Sequence, residues 1–104
     1  MKISGLNVDV EKIGAGMLRI IEDKGDGAIV AFGMIPVWAA DALNRMLRDK
    51  IIAESATQLG VTSRELDLMG LVDDAKVAEI AREIEKAVIS AIYKAANQQG
   101  KMIV

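Results

Sequence analysis

Bond-making and proton-moving chemistry at neutral pH usually rests on histidine, on cysteine, or on a nucleophile held beside a base. This chain of 104 residues has no histidine and no cysteine. Thiolate nucleophiles, imidazole acid–base steps and Cys/His zinc sites are therefore outside its means. Carboxylates remain, 15 Asp and Glu together, but none forms a distinctive catalytic pair. Asp73-Asp74 stands just ahead of a long periodic run and reads as a helix cap. Asp23 and Asp26 flank a glycine turn and could hold a hard cation, although the spacing of a calcium loop is missing. Gly14-Ala15-Gly16 has neither the dinucleotide fingerprint nor the lysine–hydroxyl ending of a nucleotide P-loop. Close helix packing or a strand bend accounts for it better. The chain is expected to be no enzyme, with no cofactor and no catalytic or metal-binding residues.

Ala56, Gly60, Val61, Leu66 and Met69 follow the order small, glycine, branched apolar, apolar, apolar. In that register, residues 52–69 resemble a helix-turn-helix, in which two steeply crossed helices need a small contact, a flexible turn and a shared core. The resemblance implies a DNA-facing second helix, with Thr62, Ser63 and Arg64 as the candidate contacts. Arg64 could read a guanine and Ser63 a phosphate. The same face carries Glu65 and Asp67, however, and the whole chain has a net charge of −2, where a dedicated nucleic-acid binder shows a basic excess. A plain helix–glycine–helix corner fits these residues as well, and a DNA-binding regulator is the second reading. A small-molecule binder with a carboxylate-only site is the third.

Composition supports a different leading expectation. Hydrophobic residues make up 52% of the chain before its nine glycines are counted. Typical soluble domains reach roughly 45–50% with glycine included. A chain of this size forms one domain, residues 1–104, with a limited interior. Some apolar surface is thus expected to be covered by another subunit, giving a homo-oligomer, most simply a dimer. The alternative is that alanine-rich helices simply expose some alanine. The candidate interface residues are Trp38, a large apolar anchor, with Ile84, Val88 and Ile92 on the last helix and Met102 in the apolar tail. The leading function is accordingly an oligomerising assembly module. The start of the chain is broken by polar residues too early for a secretory signal, and the absence of cysteine suits a reducing, cytoplasmic setting. The longest uncharged apolar stretch, residues 28–40, is far short of the ~20 residues that span a bilayer.

These residues must be positioned by helices for the most part. After Asp9, apolar residues fall at helical spacing (Val10, Ile13, Met17, Ile20, Ile21) as far as a stop at Gly25. Gly14 and Gly16 weaken that helix by about 1 kcal/mol each. Pro36 suits the start of a long helix over about 36–59, with Val37, Ala40, Leu43, Leu47, Ile51 and Ile52 as its buried stripe. A short helix follows at about 63–69, capped by Thr62 or Ser63. The clearest helix runs over about 74–97, where Val77, Ile80, Ala81, Ile84, Val88, Ala91, Ile92 and Ala95 make one apolar face. Residues 2–8 alternate weakly, as a short strand would. The run at 28–35 is uniformly apolar, so periodicity cannot tell a buried strand from a buried helix. The expected fold is mainly α, a small bundle framed by the two long helices, with short strands near 2–8 and 28–35. An α+β fold with a hairpin built from residues 17–22 and 28–34 is the alternative.

Overall fold

A computed structural model describes residues 2, 3 and 5–99. The chain opens with a minimal antiparallel pair, β1 (Lys2–Ile3) and β2 (Leu6–Asn7), with Ile3 opposite Leu6. Gly5 turns between them at φ +82°, a left-handed conformation that suits a residue without a Cβ. Leu6 and Val8 are buried and tie this segment to the core.

The helical period after Asp9 folds as α1 (Val10–Asp23), and the Asp9 carboxylate accepts the Lys12 N–H at 3.1 Å. The run at 28–35 is not a strand, and residues 10–35 form no hairpin. Residues Gly27–Ala31 make a short helix, α2. The chain then closes on itself, as the Met34 N–H reaches the Ile29 carbonyl. A uniformly apolar run suits either state, and here these local bonds satisfy the backbone without a strand partner. Only Val30 of this helix is buried.

Pro36 caps α3 (Val37–Leu59), which Gly60 ends in the left-handed conformation. The stripe that α3 buries is Ala39, Leu43, Leu47 and Ile51, four residues apart, followed by Ala56. Val37, expected in that stripe, is 78% exposed. It stands in the first turn, two positions off the buried row, and so points away from it. A short α4 (Ser63–Leu68) follows, and then α5 (Asp74–Gln98), capped by Asp73 through the Lys76 N–H at 3.2 Å.

At ~1.5 Å per residue, α3 and α5 are about 34 and 37 Å long. The chain measures 47 × 24 × 20 Å, so both helices must run along the long axis. α5 is the spine. It packs against α1 and α3, which touch each other little. At Gly14 the α1 backbone lies so close to α5 that a Cβ built there would fall 2.8 Å from the Ala91 Cβ. The buried hydrophobic residues of α1, α2, α3 and α5, Ala56 apart, join one core cluster, together with Leu6 and Val8. None of the described helices is long and apolar enough to cross a membrane.

Candidate interaction surface

Ile84, Val88 and Ile92, expected at a subunit interface, face the inside of the chain itself. Each is at most 1% exposed and belongs to the core cluster. At these three positions the apolar face of α5 is covered by other helices of the same chain. A charge placed at Val88 or Ile92 would unfold the chain rather than report on association. Met102 lies outside the described residues.

Trp38 is half-buried and packs against the core, but its polar edge is tied down. Its Nε1–H donates to Asp26 Oδ2 at 2.7 Å, and the Lys24 ammonium sits 4.1 Å above its ring. A cation over an indole face is attracted by the ring quadrupole. From the other side, the Tyr93 hydroxyl of α5 donates to the Gly33 carbonyl. These contacts fix the α2–α3 connection from both ends. The side chains they leave outside are apolar: Ile29, Phe32, Met34 and Val37 are all exposed, Phe32 at 77%. Two side-chain hydrogen bonds and a cation–π contact hold the backbone that bears those side chains in a set arrangement. Binding to such a surface has little backbone ordering left to do.

A second apolar surface lies at the other end of α3. Leu59, Leu68, Met69 and Leu71 are exposed around the α3–α4–α5 corner. Beside them is a groove of about 210 Å³, lined among others by Ile52, Leu59, Leu66, Leu71, Val72 and Ile80. Drug-sized ligands need about 300–1,000 Å³, so this groove is the size for one or two side chains. Of the ten large hydrophobic residues exposed among the described residues, eight belong to these two surfaces.

No known family, curated protein or solved structure matches the chain.

The segment resembling a helix-turn-helix forms its corner. Ala56 and Leu66 are buried, and Gly60 makes the turn. It departs from the pattern at Met69, which the motif packs inside and which is 55% exposed here. Its second helix, α4, ends after six residues. Thr62 is occupied as the cap: its hydroxyl accepts the Glu65 N–H and donates to the Glu65 carboxylate, both at 3.1 Å. Ser63 and Arg64 are exposed beside Glu65 and Asp67.

Among the described residues no three acidic side chains come together as cation ligands would. A depression of about 690 Å³ forms an open trough between residues 7–11 and Lys50. Its two acids already have partners, Asp9 in the α1 cap and Glu11 near Lys94 at 3.8 Å. A ligand site is usually apolar with a few convergent polar groups, and this trough is not. Val37 and Met69 fall in patterns that predict burial, and the other exposed side chains of the two apolar surfaces belong to no periodic stripe. A cue was present nonetheless. Phe32 and Met34 flank Gly33, Leu59 precedes Gly60, and Met69 and Leu71 flank Gly70, and all three glycines have positive φ. At helix ends an apolar residue past the glycine frequently folds back onto the last turn, whereas Met34 and Leu71, which follow Gly33 and Gly70, remain exposed.

Proposed function

We propose that the chain is a non-catalytic assembly module that associates with further copies of itself, in a reducing, cytoplasmic setting, through the apolar surfaces at the ends of α3. One observation carries this reading: eight of the ten exposed large hydrophobics among the described residues are gathered near the two ends of α3. Single exposed apolar residues are ordinary, whereas contiguous apolar patches mark interaction sites. The near balance of charge, −2 over the chain, leaves little repulsion between copies. The test is native mass by light scattering across a concentration series. The expected result is a mass that climbs above the 11.2 kDa of one chain as concentration rises. A mass fixed at that of one chain over the whole series would overturn the reading.

A further inference from the structure

We infer that residues 101–104, Lys-Met-Ile-Val, fold back along the end of α5 and lie over the Phe32 surface of their own chain. The contact is made within one chain, whether or not copies associate.

How the helices end points to it first. α1, α2, α3 and α4 are each followed by a glycine in the left-handed conformation: Gly25, Gly33, Gly60 and Gly70, at φ +66° to +85°. After three of them the next N–H reaches back to a carbonyl five residues earlier: Asp26 to Ile21, Met34 to Ile29 and Val61 to Ala56, each at 3.0 Å. Such a pairing turns the chain back from the helix it has left. α5 has its C-cap at Gln99, and residue 100 is again glycine. Gly100 follows Gln99 as Gly25 follows Lys24 and Gly33 follows Phe32. The same pairing there would send the Lys101 N–H to the Ala96 carbonyl and turn the next residues back along α5.

Reach then selects the surface. The Tyr93 hydroxyl of α5 donates to the Gly33 carbonyl, and the residues flanking Gly33 are Phe32 and Met34, both exposed. Tyr93 stands six residue steps before Gln99, about 9 Å along the helix. Residues 100–104, extended at ~3.3 Å each, span about 16 Å. A segment turned back at Gly100 therefore covers the distance to Phe32. The corner surface is out of range. Ile80, the residue lining its groove that is nearest in sequence to Gln99, lies 19 steps or about 28 Å away along α5.

The side chains suit each other. Met102, Ile103 and Val104 are apolar in succession, and Phe32, at 77%, is the largest apolar side chain left exposed among the described residues. An aromatic side chain buries about 150–250 Å² when covered. The groove between α1 and α5 is within the same reach, but its alanines, Ala15, Ala91 and Ala95, lie among Glu11, Lys94 and Gln98. It has no large apolar side chain to cover. Alternate side chains of an extended segment face opposite ways, so part of the segment stays outward beside Val37 as apolar surface still open to a second copy.

The chain has one phenylalanine, one tryptophan and one tyrosine, so the Phe32 ring protons can be assigned singly by nuclear magnetic resonance at 11.2 kDa. The wild type is expected to show nuclear Overhauser contacts from the methyl groups of Met102, Ile103 and Val104 to the Phe32 ring and the Met34 methyl, unchanged on dilution. In Phe32→Asp these contacts should be lost, and the three methyl resonances should move to their positions in a free peptide of residues 99–104. Phe32 is exposed, so the variant should keep the helical circular dichroism of the wild type, and Phe32→Ser serves should it not. Methyl resonances already at free-peptide positions in the wild type would overturn the inference. So would contacts to Ala15 and Ala91 in place of Phe32, or resonances that stay put in both Phe32 variants. Mixing isotope-labelled with unlabelled chains separates contacts within a chain from contacts between chains. Contacts found only between chains overturn the placement within one chain and give the segment to a neighbouring copy. A wild type fixed at the mass of one chain overturns self-assembly and leaves these contacts in place.

Discussion

Gly14 and Gly16 stand two residues apart on α1 and meet opposite surroundings. A Cβ at Gly14 would fall 2.8 Å from the Ala91 Cβ and 3.1 Å from the α5 backbone, and neither can move aside without shifting a helix. A Cβ at Gly16 would meet nothing within 4 Å. Alanine gains about 1 kcal/mol over glycine inside a helix, while overpacking a close contact costs about 1–3 kcal/mol. Gly16→Ala should therefore stabilise the fold by up to about 1 kcal/mol. Gly14→Ala should give a net loss of about 1 kcal/mol, the overpacking outweighing the propensity gain. Urea denaturation measures both, and equal shifts in the same direction would contradict the close crossing at Ala91. The core residues of α5 behave more simply. Ile92 is fully buried, so Ile92→Ala should cost about 2–5 kcal/mol in the same measurement.

Among the elements, capping distinguishes helices that hold the fold from one that decorates it. Asp73 caps α5, the spine, and Thr62 caps the six-residue α4. Removing either cap by alanine costs about 1 kcal/mol of helix stability. For Asp73→Ala the loss should appear in global unfolding, because α5 packs against both α1 and α3. For Thr62→Ala it should appear as faster hydrogen exchange confined to α4, with the global transition moved little. The helices themselves were largely legible in the sequence, because their signals are local. The spacing of Val77, Ala81, Ile84, Val88 and Ile92 predicts the buried face of α5, and Asp9, Thr62 and Asp73 announce three helix starts. Residues 28–35 were not legible, since a run without polar residues has no period to read. The apolar surfaces were not legible either. Whether Val37 or Leu71 is covered depends on which helix ends near it, a property of the assembled chain rather than of its own neighbours. Likewise, the apolar face of α5 suggests a second subunit at Ile84, Val88 and Ile92, whereas these residues are buried in the core of the same chain.

At the scale of the whole molecule, the association proposed here is apolar in origin, and its response to salt follows from that. Surface ion pairs weaken as salt rises, whereas sulfate strengthens apolar burial. Added sodium chloride should leave the mass distribution largely in place, and sulfate at equal ionic strength should shift it upward. Dissociation by modest sodium chloride would instead point to charge-driven contact. The clamp at Trp38 bears on how such experiments can be followed. The chain has one tryptophan, and it sits half-exposed under the Phe32 surface with an ammonium over its ring. Indole emission moves to shorter wavelength as water leaves its surroundings. The protein thus carries a single built-in optical gauge at one of its two proposed contact surfaces, needing no dye. Its colour should move to the blue when that surface docks and stay put in Phe32→Asp.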